Sequence, residues 1–303
     1  MSLGTTIYNR IDQNIRNTFL LMAVFGVLLT TLVWVFSQAW GYDSISALGL
    51  AGITLIITGV INLFSWYYSD KIALAVSQAC EIDRKNYPEL YTLIDNLCIG
   101  AGVPAPKIYL INDSAPNAFA TGRDPQHSAI AVTNGLLQKL DRRELEGVLA
   151  HELMHIQNRD TLYMTIVVIL VGFIALLTDI FSRSIWYGGG KRDRSNNGGG
   201  IFILIGLLLA ILAPVIAQLL KFAVSREREY LADASAALLT RYPEGLASAL
   251  EKISADTEPL EVANKATAHM YIVNPLNEWQ GTVNNLFSTH PPITERVQRL
   301  RQM

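Results

Sequence analysis

Hydrophobic residues along this chain gather into four blocks, Asn17 to Phe36, Ala47 to Tyr68, Leu162 to Phe181 and Ile201 to Phe222. Each is close to the ~20 residues that a helix needs to cross a bilayer. Each is apolar nearly all round and holds no central charge, which predicts two membrane hairpins. A buried core helix is the other reading of such a block, and it stays open for the second pair. Between the hairpins the pattern changes. Glu89 to Ile99 has helical spacing and stops near Gly100 and Gly102, while Lys107 to Ile111 and Ser128 to Thr133 alternate as short strands do. Asp141, with Glu144 three residues on, forms a capping box that opens a helix running through His155 to about Asn158. The expected fold is therefore a mainly α membrane protein with four transmembrane helices carrying an α+β soluble domain. Its segments are 1–68 (head and first hairpin), 69–160, 161–222 (second hairpin with a Gly-rich loop) and 223–303.

Composition agrees. Half of the 303 residues are hydrophobic and 17% are charged, against ~25% charged in a typical globular protein. The net charge is −2 and no basic block interleaves with aromatics, which excludes a nucleic-acid partner. The first apolar run exceeds the ~7 to 15 residues of a signal-peptide core, so it reads as an uncleaved anchor. Ser37-Gln38-Ala39 keeps a cleaved reading open. The loop Ser37 to Ser46 has no Lys or Arg, whereas Arg10, Arg16 and Lys71 flank the hairpin, so both soluble segments should face the cytoplasm. Arg183, Lys191, Arg192 and Arg194 oppose a crossing by the second hairpin, which either spans or only dips in; we favour crossing. In both cases His151 and Glu229 share a side. In the cytosol Cys80 and Cys98 are expected as reduced thiols.

His151-Glu152-Leu153-Met154-His155 lies within the capped helix. Residues four apart share a helix face, so two imidazoles can address one Zn²⁺ while Glu152 stands beside it as a base. Two histidines on a solvated face are the plain alternative. A catalytic zinc needs a third protein ligand and an open position for water, and Ile156 to Thr161 offers no further histidine. After the fourth block, Glu229 and Asp233 lie one turn apart. They place a ligand carboxylate and a carboxylate able to take a ligand histidine's N–H on one face. Glu227 points about 160° away and cannot share that role. Without the histidine motif, Glu229 and Asp233 would read as a charged juxtamembrane helix paired with Arg226 and Arg228. His127 and His269 lack partners at metal spacing. Asn158 and Asp160 read as capping or orienting groups.

Four ordered segments carry a resemblance: His151 to His155, Ser225 to Asp233 after the hairpin, Asn117 to Gly122 upstream, and Ser288-Thr289-His290-Pro291-Pro292 near the end. Together they resemble the M48 family of membrane zinc endopeptidases, and within it the HtpX-type heat-shock proteases. The resemblance implies a zincin-like (gluzincin) domain and one Zn²⁺ per subunit on His151, His155 and Glu229, with Glu152 as catalytic carboxylate and Asp233 behind a ligand. It also implies that His290 and Arg296 lie near the metal as catalytic helpers, a surface turn before an ordinary helix being the alternative. Asn117, Ala118, Phe119 and Ala120 become a sheet edge to which an unfolded substrate adds through its backbone, or else a purely structural strand. The implied function is quality control by cleavage of misfolded or damaged membrane proteins in the bacterial inner membrane, with the lipid bilayer and other quality-control proteases as partners. Two rivals are a CAAX-type processing protease, for which four blocks cannot enclose a large chamber, and a non-catalytic zinc scaffold. The scaffold leaves Glu152 without a purpose.

Overall fold

The structure, a computed structural model, describes residues 7–39, 41–188, 226–263, 267–275 and 291–303. Helices α1 (Ile7–Ala39) and α2 (Ser44–Val76) form the first hairpin, and Asp43 caps α2 by accepting from the Ile45 and Ser46 N–H groups. Both are long and apolar enough to cross a membrane, over Ile11–Val35 and Ser44–Val76. Ile45, Leu48, Ile56 and Leu63 point outward. Water penalises such surface by about 25 cal/mol per Å² and lipid does not. Helix α2 kinks at Tyr68 (φ −113°, ψ 18°), where its apolar block ends, and beyond the kink Ala73 and Leu74 are buried on a sheet.

That sheet has the order β1-β2-β4-β3. Strands β1 (Cys80–Glu81) and β2 (Lys107–Ile111) are antiparallel, β2 and β4 (His127–Thr133) run parallel, and β3 (Ala118–Asp124) returns antiparallel to β4. Ala118 opposes Val132 and Gly122 opposes Ser128, which leaves β3 at the edge. Gly122, expected to end the segment that starts at Asn117, instead lies inside β3. It sits at φ +130°, pressed on the His127 backbone where a Cβ has no room. The two-residue period sorts the sheet's side chains. Ile108, Ala118, Ala120, Ile130 and Val132 face α3 (Pro88–Ala101) and, beyond the short α4 (Asn134–Lys139), α5 (Arg142–Gln157), while Ile111, Phe119, Ala129 and Ala131 face α2 and α6 (Asp160–Gly188). The sheet is thus a wedge between the soluble helices and the apolar ones.

The expectation of four spans narrows to two candidate membrane helices among the described residues. The first half of α6 buries Leu162, Ile166, Leu170 and Ile174 against Leu21, Phe25 and Leu29 of α1, and Val168 reaches the sheet. Hydropathy alone does not separate a helix facing lipid from one facing protein. The fourth block, Ile201 to Phe222, lies outside the described residues. The capping box is present: Asp141 accepts from the Arg143 and Glu144 N–H groups, and Glu144 accepts from the Asp141 N–H at 2.9 Å. Both cysteines are free thiols.

The polar remainder folds onto α5. Helices α7 (Arg226–Thr240), α8 (Pro243–Ser254) and α9 (Ile293–Leu300) follow, the last opened by Pro292 at its N-cap. Glu144 ties α5 to α8 by accepting from Ser248 Oγ (2.6 Å) and Lys252 Nζ (2.7 Å). One turn on, Gly147 lets the helices touch: a Cβ there would stand 2.6 Å from Leu246 N and 2.9 Å from its Cα. Gly147→Val should therefore destabilise the domain by about 1–3 kcal/mol and shift the metal-facing turn that follows it. A lowered melting temperature of the detergent-solubilised chain checks this; an unchanged one contradicts the close approach.

Candidate metal centre

Helix α5 supplies His151, Glu152 and His155, and α7 lies across it with Glu229 and Asp233 one turn apart. All five side chains are buried. His151 Nε2 and His155 Nε2 stand 3.1 Å apart. Glu229 places Oε1 3.5 Å from His155 Nε2 and Oε2 3.8 Å from His151 Nε2. One ligand atom from each of the three residues lies within 4.8 Å of the other two. Behind the rings, His151 Nδ1 is 2.9 Å from Asp233 Oδ1 and His155 Nδ1 is 3.1 Å from Asp160 Oδ2.

This donor set fits a divalent metal. A carboxylate behind each ring favours the Nδ1–H tautomer, which turns both Nε2 lone pairs toward Glu229. Two such lone pairs 3.1 Å apart repel unless a cation or a proton lies between them. Two nitrogens and a carboxylate are the donor types that suit zinc in a catalytic site with an open position. Glu227, on the same helix as Glu229, is exposed.

Arg296 of α9 is fully buried. Its Nε and Nη2 donate to the two oxygens of Asp233 at 2.8 and 2.7 Å, and its Nη1 donates to the Ile272 carbonyl at 3.0 Å. Nη1 also stands 3.5 Å from Glu229 Oε2. Burial opposes the Asp233 carboxylate, yet the Arg296 charge and the bonds from Arg296 and His151 hold its pKa down to about 2. Glu152 goes the other way. Burial, its largest influence, pushes its pKa up to about 7, while the His155 charge and a bond from the Ala120 N–H partly offset that. A carboxylate poised near neutrality suits proton transfer.

The segment expected to take substrate is at the site but is not bare. The Ile272 N–H donates to the Ala118 carbonyl (3.0 Å) and Asn117 Nδ2 donates to the Val273 carbonyl (2.9 Å). Tyr271 meets Phe119 edge-on at 5.2 Å. Residues 271–273 thus run along the outer edge of β3. Nothing in their hydrophobic pattern points to that place. Asp160, read from sequence only as capping or orienting, stands behind His155; the left-handed turn at Arg159 (φ 59°) brings it back there. His290 lies outside the described residues. His127 is exposed and bonds Asp124, and His269 Nε2 is 3.2 Å from the Met164 carbonyl, so neither joins the metal cluster.

Fold and site define a metallopeptidase domain attached to apolar helices. Comparison with known proteins agrees: the profile described as peptidase family M48 matches residues 84–303. A protein named Protease HtpX homolog from Caldanaerobacter subterraneus subsp. tengcongensis is 46% identical over 305 residues, covering 98% of each chain. Its namesake from Dictyoglomus turgidum is 48% identical over 302 residues, covering 98% of this chain and 95% of its own. Among solved structures, S. mikatae Ste24p matches 97% of this chain and 67% of its own, at 23% identity and a TM-score of 0.49. That likeness is distant, so the assignment rests on the sequence relatives. The chain belongs to peptidase family M48, as a membrane-anchored metalloprotease.

Metal binding should depend on pH in a definite sense. Burial opposes the His155 imidazolium, but the Asp160 hydrogen bond and the Glu229, Asp160 and Glu152 charges outweigh it and push the pKa up to about 9. In the folded, metal-free chain the proton is held up to about pH 9, against ~6.5 when unfolded. Its stabilising effect is complete below the unfolded value and is lost as pH rises through about 9. A metal must displace that proton. Affinity for a divalent metal should therefore tighten by close to tenfold per pH unit between pH ~6.5 and 8.5. Chelator competition with proton-release measurement checks this, and a flat profile contradicts it.

Proposed function

We propose that the chain hydrolyses peptide bonds with one Zn²⁺ held by His151, His155 and Glu229, and that its substrates are misfolded or damaged membrane proteins. The observation that carries the reading is the convergence of both Nε2 atoms on the Glu229 carboxylate, with Glu152 buried beside them. When bound, zinc supplies Lewis acidity that polarises a scissile carbonyl and makes water more acidic. The protein's own groups do the rest. Glu152 takes a proton from the attacking water and delivers it to the departing amine; its raised pKa suits both tasks. Asp233 keeps the His151 tautomer and Arg296 keeps Asp233 in place, which makes orientation the best-supported service of this arginine. We assign His290, with Arg296, to the same catalytic neighbourhood on the strength of the motif that precedes α9.

The substrate strand is assigned to Asn117, Ala118, Phe119 and Ala120. Ala118 presents its carbonyl on the outer edge of β3, where Ile272 now donates, and Ala120 is bonded to the Glu152 base. Backbone pairing at such an edge is indifferent to side-chain sequence, which suits unfolded clients. The lysines and arginines flanking the first hairpin support a site facing the cytoplasm of a bacterial inner membrane, while a second hairpin over 161–222 is assigned on apolar length, against the basic charge of its own loop.

Three measurements test the reading. Purified full-length protein supplied with zinc should cleave an unfolded membrane-protein substrate, and Glu152→Gln should lower kcat by about 10²–10⁴-fold while retaining zinc; equal cleavage would refute the mechanism. Glu229→Ala should lose stoichiometric zinc and Glu227→Ala keep it, the reverse pattern sinking the ligand assignment. Asn117→Ala should raise KM with little change in kcat, whereas a kcat loss at constant KM would remove this segment from substrate binding.

A further inference from the structure

The inner face of α1 is apolar over most of its length, with Leu21, Met22, Phe25, Leu29 and Leu32 buried, but at its start the same stripe carries Asn14 and Thr18. Packing alone would be served by leucine at Asn14. An amide buried on a helix of this kind costs several kcal/mol unless its bonding groups are met. Here they are met by polar partners outside α1. Asn14 Nδ2 donates to Asp160 Oδ1 at 2.7 Å and to the Asn158 carbonyl at 2.9 Å, and Asn14 Oδ1 accepts from Arg228 Nη1 at 3.4 Å. Two acceptors on one side and a cation on the other fix which end of the amide is nitrogen.

Asp160 is the carboxylate behind His155. Its Oδ2 faces His155 Nδ1 at 3.1 Å, while its Oδ1 is held by Asn14 and lies 4.0 Å from Arg228 Nε. A carboxylate bonded at one oxygen is free to rotate about its C–C axis; bonded at both, it presents a fixed lone pair to the ring. We infer that Asn14, on the first apolar helix, is a positioning residue for the metal ligand His155, acting through Asp160. The inference rests on the proposed zinc site. It adds that the site extends beyond the soluble segments into the membrane anchor. Without Asn14 the His155 ring loses part of its orientation, and the metal is held less firmly although its three ligands are untouched.

The test is zinc retention, which a loss of helix packing alone would not move. Full-length protein in lipid nanodiscs, loaded with zinc, is titrated with a chelator beside Asn14→Leu, Asn14→Ala, Asp160→Asn, the double variant Asn14→Leu/Asp160→Asn, and Leu21→Ala as a packing control. Outer partners of a ligating histidine are worth about 10- to 100-fold in metal affinity. Asp160→Asn should fall in that range, and both Asn14 variants should lose a smaller share, about 3- to 10-fold. The double variant should be no weaker than Asp160→Asn alone, because the two residues act in series. Leu21→Ala should retain zinc as wild type does, with a lower melting temperature. Wild-type retention in the Asn14 variants, multiplied losses in the double variant, or an equal zinc loss in Leu21→Ala would each overturn the inference. Failure of wild type to take up one zinc would instead remove the metal reading, and the wild-type titration shows that directly.

Discussion

Charge buried away from water must be paired, and in this protein a single line of paired charges runs through the centre of the fold. Arg296 grips Asp233, Asp233 stands behind His151, Glu229 faces both imidazoles, and Asp160 stands behind His155 with Arg228 near its far oxygen. Desolvating each ion costs several kcal/mol, and removing one partner of a buried pair costs about 3–5 kcal/mol. Those members come from α9, α7, α5 and the start of α6. No one of these helices can leave without exposing an uncompensated charge on another. Docking of the helices and assembly of the site are therefore one requirement.

The sheet works within the same constraint. Its inner positions alternate between a face toward the catalytic helix and a face toward the apolar helices, so β3 touches both. Along that strand, Ala118 offers its carbonyl outward, Ala120 bonds Glu152, and Gly122 accepts from Thr161 Oγ1 of α6 at 3.0 Å. The strand assigned to substrate is also the one that holds the proposed base and is braced on an apolar helix. The Ala118 carbonyl and the Ala120 N–H that bonds Glu152 belong to adjacent peptide groups of that strand.

Much of this was legible in the residues. The Asp141 cap and Glu144 predict where α5 starts, and the i, i+4 rule places His151 and His155 on one face. The lack of a further histidine sends the search for a third donor to Glu229, while the 200° step between Glu227 and Glu229 leaves Glu227 outside, where it is exposed. What escaped has a physical cause in each case. The packing of the first half of α6 on α1 is invisible to hydropathy, because a transfer scale assigns leucine the same value in lipid and in a protein core. Tyr271 to Val273 has no period at all; its place is dictated by the free edge of β3 and by Arg296. Asp160 becomes the partner of His155 through a left-handed residue, Arg159, whose conformation composition does not announce. Asn14 hides in a polar head, and only its phase with Thr18 and Leu21 on one helix face marks it.

The two halves of the metal site are separated in the chain by the apolar region 161–222, and this bears on how the enzyme is made. As synthesis proceeds from the N-terminus, His151 and His155 emerge long before Glu229, and Asp233 and Arg296 come later still. Until then the two imidazoles lack their carboxylate, and the guanidinium that steadies Asp233 does not yet exist. An unfinished chain that lacks Glu229, Asp233 and Arg296 therefore lacks the groups on which the proposed centre depends.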